Sequence, residues 1–311
     1  MHNQIRIGTR ESQLAMWQAV CVRDLLTKHG FDCTLVPIKS EGDLDLKTPL
    51  YEMGVQGIFT RSLDLALLNN RIDIAVHSLK DVPTQMPPGI MQAAVLERGP
   101  VNDLLVFKNI TIMERYASIK PDSPFTVATS SIRRKAQWLH RYPSHEVASL
   151  RGNVNTRLEK ISRENWDAAI FAQAGLERIN IRPKESVVLD WMLPAPAQGA
   201  IVVVARDDDQ FVQDACALFN HESTAVCTQI ERDFLRTLLG GCSTPISALA
   251  VEASGIIQFK GNIFSLDGTE KVEIEKEVVK SAARNLGNDA ATELLKKGGQ
   301  MITDKIRNAA I

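Results

Sequence analysis

The sequence is short of the features that would assign it to a membrane, a nucleic acid or a metal. No apolar run is long enough to span a bilayer. The N-terminal stretch MHNQIRIGTRES lacks the apolar core and the small-residue cleavage site of a signal peptide. The five cysteines, Cys21, Cys33, Cys216, Cys227 and Cys242, form no CxxC pair and no Cys/His metal spacing. Repeats and low-complexity segments are missing too. The formal net charge is −1, so no global field favours nucleic acid or an anionic membrane. A cytoplasmic protein with reduced thiols, no metal, and neither nucleic acid nor membrane as partner is the expectation. Any recognition of anions must then come from a local cluster of Arg or Lys.

What is present is ordinary globular composition, with 44% hydrophobic and 23% charged residues over 311 positions. That length predicts two or three domains. Short apolar runs recur, each followed by polar residues and then a helical pattern. QIRIGTRESQLAMWQAV runs from a strand through Thr9, Arg10 and Ser12 into a helix carrying Leu14, Trp17 and Cys21 on one face, with Gly30 at its end. RIDIAVHSLKD, PFTVATSSIRRKAQWLHRY and NWDAAIFAQAGLERI repeat the pattern, and GAIVVVARDDD is a fifth strand with charges behind it. Such alternation predicts parallel α/β sheets, whose ligands bind outside the carboxyl ends of the strands. From about Val251 the period changes to two, with an Asp267-Gly268 hairpin signal. SAARNLGNDAATELLKKGG then reads as an amphipathic helix, giving a smaller α+β domain.

The polar turns carry the candidate chemistry. DIAVHSLKDVP brings His77, Ser78, Lys80 and Asp81 to the end of a buried strand. Asp81 suits general acid/base work, although an Asp ahead of Val82-Pro83 also suits a plain turn. His77 suits a satisfied buried histidine better than a catalytic one. Arg133 and Arg134 follow ATSS, and Arg151 and Arg157 lie in SLRGNVNTRLEKI. Guanidinium forks beside Ser130, Ser131 and a helix N-terminus form a cradle for carboxylate or phosphate; solvated, capped helix faces would look the same. Cys242, after two glycines in LLGGCSTPISAL, reads as a nucleophile, a covalent anchor or a small buried thiol. TPLYEMGVQGIFTRSL reads as a mobile lid or as a long connection.

HSLKDVP, TSSIRRKAQ, SLRGNVNTRL, LPAPAQGA and GGCSTPI, in this order, resemble the porphobilinogen deaminase (hydroxymethylbilane synthase) family over essentially the whole chain. The resemblance implies two α/β domains like the halves of periplasmic-type binding proteins, with the chain crossing between them twice, and a third, α+β, cofactor-carrying domain. Mapped here, domain one is 1–98 with 198–216, domain two 101–193 and domain three 220–311. It implies a dipyrromethane cofactor held by a thioether on Cys242, and porphobilinogen as substrate. Four porphobilinogen molecules would be joined head to tail, with loss of ammonia, into a linear tetrapyrrole.

In that reading Asp81 is the catalytic carboxylate, orienting the leaving amine, facing the resulting cationic azafulvene and accepting pyrrole N–H groups. Arg10, Arg133, Arg134, Arg151 and Arg157 match the family's carboxylate-binding arginines. Ser12, Thr129, Ser130 and Ser131 add hydroxyl and helix N-terminal donors, and Lys80, Gly152 and Asn153 join the binding set. Gln56 and Phe59 fall in the lid segment.

The chain departs from the family's usual pattern with Gln56 in place of Lys, Lys47 in place of Asp, APAQGA in place of AVGQGA, and differences near Glu52 and Ser62. A slow family member would fit those changes. The main alternative is a non-catalytic binding protein for a small carboxylate, built on the same two lobes. Such a protein needs neither Cys242 in a Gly-Gly loop nor a third domain. The effector-binding part of a transcription regulator is a further alternative, without a helix-turn-helix ahead of the first strand.

Overall fold

The computed structural model describes residues 4–39, 60–120, 123–238 and 244–309. Its strands are β1 (Gln4–Arg10), β2 (Asp32–Ile38), β3 (Ile74–Ser78), β4 (Ile90–Val95), β5 (Asp103–Phe107), β6 (Thr126–Ala128) and β7 (Glu146–Ala148). Then follow β8 (Ala168–Ala172), β9 (Ser186–Leu189), β10 (Ile201–Arg206), β11 (Ile246–Ala253), β12 (Ile256–Phe264) and β13 (Lys271–Val279). They form a first sheet of order β2-β1-β3-β10-β4, a second of order β7-β6-β8-β5-β9 and a third of order β11-β12-β13. This is the expected class: two α/β sheets and a smaller α+β part.

The chain divides into two compact units. The first takes in residues 60–99 and 199–226 besides the N-terminal 4–39; the second runs over 100–198 and from 227 onward. Among the described residues, the passages from one to the other fall at 99–100, 198–199 and 226–227.

Both large sheets use one plan. Three parallel strands (β2-β1-β3 and β7-β6-β8) are followed by one strand antiparallel to both its neighbours, β10 or β5. Each antiparallel strand comes just after a passage of the chain into that unit. The sequence predicts parallel sheets, and β10 and β5 correct that expectation as antiparallel members. A duplicated strand order leaves no trace in residue identity, and a strand entering from the other unit has no crossover helix to set it parallel. One consequence is local: β10 runs against β3, so Arg206 and the aspartates after it lie at the opposite edge from His77, and Arg206 Nη2 is 3.5 Å from Asp73 Oδ1.

In the first unit, helix Gln13–Lys28 is capped by Ser12 and buries Ala15, Gln18, Ala19, Val22 and Leu26. The stripe predicted through Leu14, Trp17 and Cys21 is therefore displaced by one position. Small residues take the closest approach to the sheet, while Trp17 and Cys21 are partly buried and pack against the core cluster that includes Ile5, Ile7 and Val203. The second sheet alternates residues between two cores, with Leu105 and Phe107 on one face and Leu104 and Val106 on the other.

The third sheet packs on helix Glu222–Thr237 through an edge-to-face pair, Phe234 and Phe259, with centroids 5.1 Å apart. Gly261 allows this, because a Cβ there would lie 2.6 Å from the Phe234 ring. The helix predicted after β13 is longer than expected. It begins as a 3-10 segment, Lys280–Asn285, continues as Leu286–Leu294, and passes a kink at Gly298 into Gln300–Ala309. No helix among the described residues is long and apolar enough to cross a membrane.

Candidate functional site

β1 and β3 are parallel neighbours, so the turns after them open at the same edge of the first sheet. A cavity of about 60 Å³ lies there, lined by Arg10, Ser12, Leu14, Ala15, Gln18, Val76, His77, Ser78 and Asp81. Ser12 Oγ accepts the Ala15 N–H at 3.3 Å as the helix cap, an acceptor's role that leaves its O–H able to donate. Gln18, 2% exposed, donates from Nε2 to Ser78 Oγ at 2.8 Å and so holds the end of β3 to the helix.

Beyond Ser78 the chain makes one 3-10 turn, Leu79–Asp81. Leu79 N–H donates to Ala200 O at 3.0 Å, and its buried side chain pins the turn to the core. Lys80 and Asp81 remain half-buried, and Asp81 stands in the cavity wall. His77 is buried, and its Nε2 has no hydrogen-bond partner. Burial, reinforced by the nearby Arg10 charge, pushes its pKa down to about 3, so the imidazole is neutral near pH 7.

The second sheet has a polar edge of its own. β6 and β7 are parallel, and the segments after them are stitched together. Thr129 N–H donates to Ala148 O at 2.8 Å, Ser130 Oγ lies 3.0 Å from Ser149 Oγ, and Leu150 N–H donates to Ser130 Oγ at 2.9 Å. Two helices begin at this edge. Ser131 caps Ile132–Arg141 by accepting from Arg134 N–H, and Asn153 caps Val154–Arg163 by accepting from Thr156 N–H at 3.0 Å. Helix starts concentrate positive potential and favour anions. Gly152 turns into the second helix at φ +112, where an added Cβ would meet Thr156 Cγ2 at 2.9 Å. Arg157 Nε donates to Gly152 O at 2.7 Å, and Arg151 is buried.

Arg133 and Arg134 sit differently from the open forks expected of them. Both are buried, with Nη2 of each on Asp103 at 2.6 Å and 2.7 Å. Their Nη1 groups donate to Leu193 O and Ile170 O, and the Nε of each has no partner. Burial alone would raise the Asp103 pKa, but Arg134 and Arg133 outweigh it and hold the carboxyl well below the usual carboxylate range.

Sequence reasoning missed Asp103, Gln18, Gln198, Gln137 and Glu231. Gln137 exchanges hydrogen bonds with the Leu193 main chain and donates to Ser247 Oγ at 3.0 Å. Glu231, fully buried, accepts from Ala197 N–H at 2.6 Å and Ala250 N–H at 2.8 Å, joining LPAPAQGA to β11. The one available signal was polarity inside apolar context, as in NDLLVF and APAQGA. Cys242, Gln56, Phe59, Lys47 and Glu52 lie outside the described residues. The other four cysteines form no disulfide with one another, and no group of His, Cys, Asp or Glu among the described residues could hold a metal.

Two family models match this chain in register. "Porphobilinogen deaminase, dipyromethane cofactor binding domain" matches residues 5–214, and "Porphobilinogen deaminase, C-terminal domain" matches residues 225–296. The chain belongs to the porphobilinogen deaminase family. It is 39% identical over 307 residues to the porphobilinogen deaminase of Pelobacter propionicus, covering 97% of each chain. With that of Chlorobium phaeobacteroides it shares 38% identity over 315 residues, 99% of each. The porphobilinogen deaminase of Chloroherpeton thalassium is 37% identical, again over 99% of both chains.

Among solved structures, similarity extends to an ancestral cationic amino acid solute binding protein, with 14% identity, 70% and 88% coverage and a TM-score of 0.42. It extends also to the methionine binding protein MetQ, with 14% identity, 69% and 86% coverage and a TM-score of 0.42. The family membership makes the chain an enzyme of tetrapyrrole biosynthesis with a dipyrromethane cofactor. It joins four porphobilinogen molecules, with loss of ammonia, into the linear tetrapyrrole.

Proposed function

We propose that Asp81 is the catalytic carboxylate of this porphobilinogen deaminase and that Arg10 and Ser12 bind substrate carboxylate beside it. The observation that carries this reading is the cavity at the ends of β1 and β3, which a cation, a hydroxyl and a carboxylate line together with a neutral imidazole. Porphobilinogen carries acetate, propionate and aminomethyl groups. Arg10 pairs with a carboxylate through its fork, and the Ser12 O–H adds a donor. The Asp81 carboxylate accepts an N–H of the aminomethyl ammonium and holds it as the C–N bond breaks. It then faces the positive charge left on the substrate and accepts the pyrrole N–H. His77, being neutral, adds no competing charge to that cavity.

Thr129, Ser130, Ser131, Arg151, Gly152, Asn153 and Arg157 form a second carboxylate-binding set, with Arg133 and Arg134 behind it and Lys80 beside Asp81. Two helix starts and the unpartnered Nε–H groups of Arg133 and Arg134 are a donor set suited to the acidic side chains of dipyrromethane. When bound, that cofactor supplies the nucleophilic pyrrole carbon. We propose Cys242 as its thioether anchor and Gln56 and Phe59 as part of a lid.

The division into domain one (1–98 with 198–216), domain two (101–193) and domain three (220–311) belongs to the same reading, supported by three separate sheets. So do a monomeric state and a cytoplasmic location. The test is Asp81→Asn: folded protein with turnover reduced at least about 100-fold supports the assignment, and near-normal turnover removes Asp81 from the role.

A further inference from the structure

Arg133 and Arg134 bring two positive charges to one carboxylate, Asp103, and all three side chains are nearly or wholly out of water. A buried, uncompensated cation is costly unless an anion completes the site. The Nε–H groups of both arginines lack partners, which is what an incomplete anion site leaves behind. The fourth member of the cluster is Gln198, 1% exposed, whose Nε2 donates to Asp103 Oδ1 at 2.9 Å and to Val101 O at 2.7 Å.

Position along the chain gives this cluster its interest. Gln198 is the last residue of the second unit before the chain leaves it, and Val101 and Asp103 follow directly on the chain's entry at 99–100. One carboxylate thus fastens both passages to the guanidinium pair at the start of helix Ile132–Arg141. A glutamine suits this place: it grips Asp103 without neutralising it, leaving the surplus positive charge on the arginines.

We propose that Gln198 and Asp103 are positioning residues that couple carboxylate binding at Arg133 and Arg134 to the chain passages at 99–103 and 195–199. This rests on the reading that these arginines serve the carboxylates of substrate and cofactor. An incoming carboxylate shares the guanidinium N–H groups with Asp103; any change in those bonds reaches Gln198 through the Asp103 carboxylate, directly at Oδ1 for Arg134 and by way of Oδ2 for Arg133, and reaches Val101 through Gln198.

The experiment compares the cofactor-loaded wild type with Gln198→Leu, and with Gln198→Met should the first not fold. KM, kcat and Tm are measured, together with hydrogen exchange of residues 99–103 and 195–199 with and without porphobilinogen. The expected result is a KM for porphobilinogen raised about tenfold, a lowered Tm from the two buried hydrogen bonds lost, and loss of the protection that substrate confers on both segments in the wild type. A lowered Tm with unchanged KM and unchanged protection would make Gln198 a structural residue and overturn the proposal. Arg133→Lys in the same assay separates the two readings, since it keeps a cation on Asp103 but loses the fork. If Arg133→Lys raises KM and Gln198→Leu does not, the coupling fails; if Arg133→Lys leaves KM unchanged, the carboxylate reading of the arginine pair fails.

Discussion

Gln18 Nε2 donates a hydrogen bond of 2.8 Å to Ser78 Oγ, from a helix side chain with 2% of its surface exposed. The bond fixes the last residue of β3, and with it the start of the turn that carries Asp81. Sixty residues of chain separate the two partners.

Gln18→Leu removes the donor while keeping the bulk. Folding stability should fall by about 1–2 kcal/mol, the usual cost of a buried hydrogen bond with its partner left behind. Turnover should fall as well, because the Asp81 turn loses a tether. Urea unfolding and kcat on the same preparation check this; lost stability with unchanged kcat would detach Gln18 from the site.

His77 sets an acid limit. Its ordinary pKa near 6.5 falls to about 3 in the folded chain, so the unfolded chain takes up a proton that the folded one refuses. The stability contributed is full above pH 6.5 and is lost as pH falls from there toward 3. His145, lowered chiefly by burial, acts with the same sign. Asp103, lowered by its arginines, adds a loss that begins only below the usual carboxylate range near 3.8. His77→Gln should flatten stability against pH between about 6.5 and 4 relative to wild type; an unchanged slope in urea titrations would contradict this.

Arg10→Leu should raise KM for porphobilinogen by about 10- to 100-fold, as a charge-assisted pair worth roughly 1.5–3 kcal/mol is lost. The variant should stay folded, because Arg10 ends its strand at the cavity. Steady-state kinetics with thermal unfolding as control decide it; an unchanged KM would remove Arg10 from the binding set.

Gly152→Ala puts a side chain at φ +112 and 2.9 Å from Thr156 Cγ2. A destabilisation of about 1–3 kcal/mol is expected from the backbone conformation and the contact. KM should rise, since the same turn carries Arg151 and the Asn153 cap. Chemical unfolding and kinetics on one sample test both, and a neutral substitution would show that the turn tolerates a Cβ.

Much of this site was legible in the sequence, for physical reasons that can be named. Arg10, Ser12, His77 and Asp81 follow apolar runs, and an α/β sheet opens its ligand edge where such runs end. Ser131 and Asn153 were legible as helix starts because short polar side chains cap them. The burial of Arg133 and Arg134 was not, because their partner Asp103 stands thirty residues earlier in an apolar strand. Strand direction was hidden for β5 and β10, whose apolar runs look alike in either orientation. Long-range polar ties such as Gln18–Ser78 and Glu231–Ala250 have no local signature at all.

The most direct test of the central claim is the intact mass of the purified enzyme and of Cys242→Ser, each before and after addition of porphobilinogen. A porphobilinogen deaminase anchored at Cys242 should carry two extra pyrrole units at the outset and then show a ladder of single-pyrrole additions. Cys242→Ser should lose the thioether adduct. A folded wild-type protein whose mass equals that of the bare chain and never changes would contradict the account, and an unaltered adduct on Cys242→Ser would place the anchor elsewhere.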